Sequence, residues 1–318
     1  MSNARSQPVD AIKAAATRPE PRFQIKDYML LLKPRVMSLV VFTAIVGMVL
    51  APASIGPLTG LAAILCIAMG AGASGAINMW YDRDIDCDMA RTMNRPVPAG
   101  RIHPKAALAY GVTLAVGSVS AMASLVNILS AGLLALTIVY YVFLYTMWLK
   151  RRTPQNIVIG GAAGALPPLI GWASASGDVG LGAICMFAII FLWTPPHSWA
   201  LALFRRGDYA NAGVPMMPVV AGEQSTRTQM LVYTLILVPV TLSPVLVGMS
   251  GAFYGAVAAI LGGLFLRHAY KVWRDPDPAV ARSMFLFSIL YLFLIFGAML
   301  ADRAVGAILT DNALGGLL

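Results

Sequence analysis

The sequence predicts an all-α polytopic membrane protein with about nine transmembrane helices, and its composition, its charge distribution and its turns together support this. Of the 318 residues, 58% are apolar and only 12% are charged, and the mean hydropathy is +0.75. A water-soluble domain carries roughly 25% charged residues, so this chain lacks the polar surface that would cover it in water. The composition excludes a soluble α/β enzyme, a disulfide framework and intrinsic disorder.

Long uncharged blocks separate the charged segments. Each of the first four extends over about 40 residues or more, twice the length of one crossing, and has turn residues near its middle. These blocks are 36–81, 106–149, 153–204 with Asp178 as its one charge, and 228–266, and a shorter block covers 283–301. We therefore predict four helical hairpins and one last helix. The predicted spans are 34–52, 57–78, 106–126, 128–149, 157–175, 180–203, 230–249, 252–271 and 284–303.

The basic residues predict the orientation of these spans. Of the 23 Lys and Arg residues, 22 fall in the N-terminal segment and in every second connection, and only Arg303 falls on the opposite side. Cytoplasmic loops carry such an excess, so the N-terminus is predicted to be cytoplasmic and the C-terminus external. This topology, with some attraction to anionic headgroups, accounts for the net charge of +9 without a nucleic acid partner.

The predicted organisation is a single transmembrane domain, residues 28–310, between two tails. Residues 1–27 mix Pro, Ala, Arg and acids without an apolar core, so they are predicted to be a flexible cytoplasmic tail rather than a secretory signal. Residues 311–318 are predicted to be an external tail. The short N-terminal tail favours a bacterial inner membrane over a mitochondrial one. Cys66, Cys87 and Cys185 are scattered, so no disulfide or zinc site is implied.

An acidic segment follows the second predicted span. Residues 78–88 read NMWYDRDIDCD and place four carboxylates within seven residues. If the helix continues through them, Asn78, Asp82 and Asp86 lie on one face, where like charges repel unless a cation binds them. Magnesium fits such a row, because it takes one or two carboxylates and completes its shell with water and substrate phosphate. The alternative is a solvated acidic loop paired with Arg83, Arg91 and Arg95.

The segments that follow carry a resemblance to a known family. Residues 91–101 read RTMNRPVPAGR, so cations and rigid turns come directly after the acidic row. The combination resembles the UbiA superfamily of intramembrane prenyltransferases, whose first motif is an Asn and Asp row followed by R-T-x-x-R-P. Four further segments resemble the heme-farnesylating branch of that superfamily. They are 150–161 (KRRTPQNIVIGG), 165–172 (ALPPLIGW), 193–203 (WTPPHSWALAL) and 208–216 (DYANAGVPM).

This resemblance implies a UbiA-type fold around a central cavity, and a reaction. Farnesyl diphosphate would be ionised and joined to a vinyl group of protoheme IX (heme B), and water would complete the hydroxyethylfarnesyl side chain of heme O. The chain departs from quinone-type relatives at Met79, in place of an extra Asp, and at Ala212, in place of the second carboxylate of D-x-x-x-D. Both departures agree with the heme branch, but they leave a second metal site open.

The resemblance assigns roles to residues of this chain. It implies a magnesium-diphosphate site with catalytic and metal-binding side chains, and a set of cations that bind phosphate oxygens; each cation could instead serve topology alone. Farnesyl diphosphate, heme B and the lipid bilayer are the implied partners, and heme A synthase or oxidase assembly factors are further candidates. The metal-binding and catalytic residues are Asn78, Asp82, Asp86 and Asp208, and the diphosphate-binding residues are Arg91, Arg95, Lys150 and Arg151.

The heme side is assigned to His197, Trp199 and Tyr209. His197 follows Thr194-Pro195-Pro196 in the cytoplasmic half of the sixth span, where an imidazole could ligate iron or could be a polar residue satisfied by a neighbouring helix. The aromatic rings could shield a carbocation or anchor the helices at the interface. The pairs Pro167-Pro168 and Pro195-Pro196 are both predicted to break their helices against protein or a cavity.

Two alternative functions are a multi-pass transporter and a prenyltransferase with another acceptor. A transporter usually carries ionisable groups near the midplane, whereas the uncharged blocks here hold only Asp178, which belongs to an external turn. A quinone- or chlorophyll-type aromatic polyprenyltransferase differs from the heme branch only in its acceptor. Both alternatives are therefore less favoured than heme farnesylation.

Overall fold

The computed structural model describes residues 24–315, with side chains described as far as 306, and this part of the chain is built from helices joined by turns. Pro marks the start of several helices, because its missing N–H is not needed in the first turn. The helices are α1 (Ile25–Leu31), α2 (Pro34–Leu50), α3 (Pro57–Tyr81), α4 (Arg83–Cys87), α5 (Pro104–Leu125), α6 (Ile128–Val139), α7 (Asn156–Ala165), α8 (Pro167–Ser176), α9 (Leu181–Phe204), α10 (Arg206–Asn211), α11 (Met217–Val220), α12 (Glu223–Thr241), α13 (Ser243–Leu246), α14 (Ala252–Arg274) and α15 (Pro278–Gly315).

The number of crossings agrees with the predicted fold class. Within the described residues, eight segments are long and apolar enough to span a membrane, and α1 with α2, bent by 55°, would make a ninth. Three of the eight are composite: α7 and α8 form one span, α12 and α13 form another, and α6 forms the third with the π-helical and 3-10 segments that follow it. The chain is therefore a multi-pass, all-α membrane protein.

The two Pro pairs behave differently. Pro167 starts α8 after a break at Leu166, as predicted. Pro195 and Pro196, in contrast, lie inside the continuous helix α9, so the predicted break is wrong. Two adjacent prolines remove two neighbouring backbone hydrogen bonds, but the turns on either side keep theirs, and a helix packed among other helices tolerates this loss.

The predicted tails overlap the described helices. Residues 1–23 and 316–318 lie outside the described part of the chain. Within the predicted N-terminal tail, α1 begins at Ile25, and Asp27 is buried and accepts a hydrogen bond from Arg101 at 2.9 Å. Residues 311–315 of the predicted C-terminal tail belong to α15.

Two local features shape the bundle, namely a glycine contact between α2 and α8 and a π-helical segment after α6. A Cβ added at Gly47 of α2 would lie 2.0 Å from the Pro168 carbonyl oxygen, and one at Gly171 of α8 would lie 2.0 Å from that of Ala44. Only glycine lets these two backbones touch. Helix α6 continues as a π-helix over Tyr140–Trp148 and a 3-10 turn over Leu149–Arg151. The wider π turns bring its end against α3, an arrangement common at functional sites.

Candidate active site

Two loops that are far apart in sequence meet at one end of the bundle. Ile85, which lies within the acidic row, and Met89, which follows it, pack in one buried hydrophobic cluster with Tyr209 and Val214. Ile157, at the start of α7, packs against the same cluster. The structure thus brings together the loops that carry Asp82 and Asp208.

The acidic row keeps its spacing although its helix ends. Helix α3 stops at Tyr81, Asp82 forms the junction, and α4 follows. The backbone N–H of Asp82 still donates to Asn78, at 2.9 Å, and that of Asp86 to Asp82, at 2.8 Å. Asn78, Asp82 and Asp86 are 3%, 0% and 1% exposed. This burial excludes the solvated acidic loop as an account of Asp82 and Asp86.

Protein cations relieve the repulsion within this row. Lys150 Nζ donates to Asp82 Oδ2 at 2.5 Å, and Asn78 Nδ2 donates to the same oxygen at 2.7 Å. Arg95 Nη1 donates to Asp86 Oδ2 at 2.7 Å. A buried carboxylate needs such partners, since its desolvation is otherwise unfavourable. Two of the four predicted phosphate donors therefore donate hydrogen bonds to the two buried carboxylates.

Arg151 and Arg91 occupy more exposed positions. Arg151 makes two hydrogen bonds of 2.7 Å to Asp84, and its guanidinium lies 4.8 Å from the centre of the Tyr81 ring. These hydrogen bonds lower the pKa of Asp84 to about 2. Arg91 is exposed and forms no ion pair with any residue of the described part of the chain. Arg151 therefore lies at the edge of the buried acidic row, and Arg91 takes no part in the ion pairs of that row.

Lys33 is a component that the sequence reasoning missed. It lies at the bend between α1 and α2 with a φ of 53°, and its Nζ donates to Asn78 Oδ1 at 2.7 Å. It also interacts electrostatically with Arg95 and Lys150. In the sequence Lys33 counts only towards the topology, but the following Pro34 disfavours helical backbone at this position and so indicates the bend.

Three buried acceptor oxygens at this end of the bundle receive no hydrogen bond from any residue that the structure describes. They are Asp82 Oδ1, Asn156 Oδ1 and Asp208 Oδ2. The nearest ion-pair contacts are long: Arg151 lies 3.6 Å from Asp82 Oδ1, and Arg205 lies 3.9 Å from Asp208 Oδ2. Buried acceptors are normally paired, and carboxylate and amide oxygens are the ligands that magnesium prefers.

These donors fit magnesium under one condition. In the part of the chain that the structure describes, no three Asp, Glu, His or Cys side chains stand close enough to hold a metal ion by themselves. Magnesium typically uses one or two carboxylates and takes further oxygens from a phosphate. The residues present therefore fit a metal ion whose ligands come partly from the protein and partly from a substrate phosphate. Asn156 is added to the predicted metal-binding residues, and the sequence did not indicate it.

The three predicted heme contacts lie in different surroundings. His197 Nδ1 lies 2.7 Å from Ser288 Oγ on α15, and its ring stacks on Trp193. Trp199 is fully buried and packs edge-on against Tyr233, at 5.5 Å between ring centres. In this arrangement its ring offers no surface to a ligand. Tyr209 belongs to the cluster between the two loops. The structure does not bring these three side chains together.

Tyr141 and Tyr145 are further aromatic residues beside the row that the sequence reasoning did not select. They lie on the π-helical segment with 5.3 Å between ring centres, and both interact electrostatically with Asp82. Their position follows from the π-helix, which no residue pattern in this segment indicated. Aromatic faces at such a position can stabilise a positive charge.

Comparison with known proteins identifies relatives over most of the chain. A protein named protoheme IX farnesyltransferase from Acidiphilium cryptum is 58% identical over 288 residues, which cover 88% of this chain and 91% of the relative. One named protoheme IX farnesyltransferase 2 from Mesorhizobium japonicum is 60% identical over 283 residues, which cover 88% and 90%.

Solved structures share the fold. A digeranylgeranylglyceryl phosphate synthase aligns with a TM-score of 0.73 at 18% identity, covering 87% of this chain and 98% of its own. A UbiA homolog from Archaeoglobus fulgidus, solved with GPP and Mg²⁺, aligns with a TM-score of 0.58 at 17% identity and covers 86% and 99%. Residues 40–297 match the UbiA prenyltransferase family itself. The chain therefore belongs to the UbiA prenyltransferase family.

Proposed function

We propose that this protein transfers the farnesyl group of farnesyl diphosphate to a vinyl group of heme B and so makes heme O for terminal oxidases. The observation that carries the diphosphate chemistry is the buried row of Asn78, Asp82 and Asp86, interleaved with lysine and arginine. The choice of heme as the acceptor rests on the relatives, which are 55–60% identical and carry the name protoheme IX farnesyltransferase.

The site holds a prenyl diphosphate through an exchange of partners. Asp82 and Asp86 are at present bound by Lys150 and Arg95. When a diphosphate arrives, these cations move to phosphate oxygens, where charge-assisted hydrogen bonds are strongest. The carboxylate oxygens of Asp82 and Asp86 would then hold Mg²⁺ together with the side-chain oxygens of Asn156 and Asp208. Bound Mg²⁺ supplies Lewis-acid stabilisation of the leaving group.

The proposed reaction has two stages, in which farnesyl diphosphate ionises and the farnesyl carbon then bonds to heme. The bond between C1 of the farnesyl group and the diphosphate oxygen breaks, and its electron pair leaves with the diphosphate. The negative charge that grows on the leaving diphosphate is stabilised by basic side chains that are already in place around it before the reaction. These side chains are Lys33, Arg95, Lys150 and Arg151. The terminal vinyl carbon of heme bonds to C1, and water adds to the resulting cation and releases a proton. Tyr141 and Tyr145 present aromatic faces that stabilise the positive charge.

The acceptor side of the proposal depends on His197, which we assign to the heme iron. Tyr209 lies between the two loops, so we place it near the diphosphate rather than at the iron, and Trp199 supports the packing of α9. The protein acts in the bacterial inner membrane with a cytoplasmic N-terminus and an external C-terminus, and heme A synthase or oxidase assembly factors receive its product.

The test uses membranes that contain the full chain. They are incubated with hemin, Mg²⁺ and farnesyl diphosphate, and the porphyrins are analysed by mass spectrometry. We expect a heme that has gained one farnesyl group and one hydroxyl group. A prenylated product from 4-hydroxybenzoate, and none from hemin, would select the aromatic polyprenyltransferase instead.

A variant of the acidic row tests the chemistry. Asp82→Asn retains the shape of the side chain but removes the charge, so we expect turnover to fall by about 100-fold or more, as when one electrostatic contact to a transition state is lost. Asp88→Asn changes an exposed carboxylate in the same segment and is expected to retain activity. Product formation is measured beside thermal unfolding of each purified variant. Full activity of a folded Asp82→Asn variant would remove Asp82 from the site.

A further inference from the structure

The hydrogen bonds around His197 determine which ring nitrogen carries a proton. Ser288 Oγ donates to the backbone carbonyl of Phe285 at 2.7 Å. A serine hydroxyl has one proton to donate, so Ser288 can only accept from His197. The contact of 2.7 Å between His197 Nδ1 and Ser288 Oγ is therefore an Nδ1–H donation. In the neutral imidazole the lone pair then remains on Nε2.

The ring is also held in place. It lies between Trp193, at 4.1 Å between ring centres, and Phe285, at 4.7 Å, and both pairs are stacked. Trp193 Nε1 donates to the Ser288 backbone carbonyl at 2.8 Å. Helices α9 and α15 are thus joined at this level by two hydrogen bonds and by the ring contact between His197 and Phe285, whereas Trp193 and His197 stack within α9. Rotation of the imidazole would break the Ser288 contact and both stacks.

The second ring nitrogen has no comparable partner. Nε2 makes no hydrogen bond to any residue between 24 and 306, and it is not among the unpaired atoms that are sealed from solvent. His197 itself is only half-buried. The lone pair of Nε2 is therefore both unused and accessible, in contrast to a core histidine whose two nitrogens are satisfied by protein.

We propose that Ser288 is a positioning residue, which holds His197 in the Nδ1–H tautomer so that Nε2 binds the iron of heme. The inference rests on the proposed function for its ligand and adds the residue that prepares the histidine. Metal-bound histidines usually donate their other N–H to an oxygen acceptor, and loss of that acceptor typically lowers metal affinity by 10- to 100-fold.

The experiment compares two porphyrins on the purified full chain. Hemin offers an iron to Nε2, whereas iron-free protoporphyrin IX has the same shape without one. The wild type is expected to give the absorption spectrum of a histidine-ligated ferric heme, and His197→Ala to lose it. Ser288→Ala is expected to weaken hemin binding by about tenfold or more. Protoporphyrin IX should bind equally to all three proteins.

Ser118→Ala is the matched control. Ser118 is also a fully buried serine whose hydroxyl donates to a carbonyl three residues earlier, at 3.0 Å, but it lies on α5 and forms no hydrogen bond with a histidine of the described residues. Its substitution should leave hemin binding unchanged. An equal loss in Ser118→Ala would mean that removal of any buried hydroxyl perturbs binding, and this would overturn the assignment of Ser288.

Three further results would overturn the inference. They are unchanged hemin affinity in Ser288→Ala, equal weakening of hemin and protoporphyrin IX, and a wild-type spectrum without histidine ligation. The proposed function is judged separately, by the farnesylated product. A protein that binds hemin through His197 but makes no product would retain this site and lose the enzymatic proposal.

Discussion

Lys33 shows how one backbone conformation can place a charge. A non-glycine residue at a φ of 53° is strained by about 1 kcal/mol or more, and such strain persists where the surrounding structure enforces it. Here the compensation includes the hydrogen bond to Asn78. With Arg95 and Lys150, Lys33 makes three basic side chains beside two buried carboxylates. This excess of basic side chains suits a multiply charged anion.

We therefore predict that Lys33→Gln weakens the binding of prenyl diphosphate. One charge-assisted hydrogen bond is worth about 1.5–3 kcal/mol, so the KM for farnesyl diphosphate should rise by roughly tenfold or more. Steady-state kinetics with varied farnesyl diphosphate measure this. Lys26→Gln, an exposed lysine on α1, is the control and should leave the KM unchanged. An unchanged KM in Lys33→Gln would show that Lys33 serves only the bend.

The pair of Arg151 and Asp84 predicts a pH dependence. Hydrogen bonds from Arg151 lower the pKa of Asp84 from its ordinary 3.8 to about 2. A carboxyl whose pKa is lower in the folded protein stabilises it above pH 3.8 and loses this effect as the pH falls towards 2. Because Asp84 is 60% exposed, we expect the pair to contribute less than about 1 kcal/mol. In Arg151→Gln, carbon NMR of the Asp84 carboxyl should show a pKa close to 3.8, and a pKa that remains near 2 would contradict this account.

At the level of helices, the crossing of α2 and α8 depends on two glycines. An added Cβ at Gly171 would lie 2.0 Å from a backbone oxygen, so the helices would have to separate. We predict that Gly171→Ala destabilises the protein by about 1–3 kcal/mol, as overpacking does. Gly164→Ala, in the same span with nothing within 4 Å of an added Cβ, is the matched control. Thermal unfolding in detergent compares them, and equal melting temperatures would mean that α2 and α8 are not in this contact.

The sequence was informative about elements wherever one pattern dominated. The long uncharged blocks predicted the hairpins, and the spacing of Asn78, Asp82 and Asp86 predicted a shared face. Contacts between distant elements could not be predicted in this way. The hydrogen bond from Lys33 to Asn78 spans 45 positions, and its donor is placed by a helix bend. The burial of Trp199 against Tyr233 likewise depends on which face α9 turns to α12.

At the scale of the whole molecule, the two ends of the bundle differ. One end carries the acidic row, the cations around it and the loop of Asp208. At the other end, Asp302 of α15 accepts hydrogen bonds from the backbone N–H groups of Gly251 and Tyr254, which begin α14. Arg303 donates to the Leu50 carbonyl at the end of α2. The last helix thus joins α2 and α14 on the side opposite the proposed chemistry.

This polarity predicts the side from which a natural cysteine can be labelled. Cys87 is exposed beside the acidic row, whereas Cys66 and Cys185 are buried. The basic loops predict that this end faces the cytoplasm. A membrane-impermeant maleimide should therefore modify the protein in inside-out vesicles and leave it unmodified in intact spheroplasts, as read by a mass shift.

Two variants make the labelling decisive. Cys87→Ser should abolish the reaction, because the remaining thiols are sealed in the bundle. Ser54→Cys, added to that variant, places a thiol in the exposed turn between α2 and α3, at the opposite end. It should react in spheroplasts and not in inside-out vesicles. Labelling of Cys87 from outside would invert the orientation and place the acidic row on the external face. Farnesyl diphosphate from the cytoplasm could not reach the acidic row there. External labelling of Cys87 would therefore contradict both the predicted orientation and the proposed reaction.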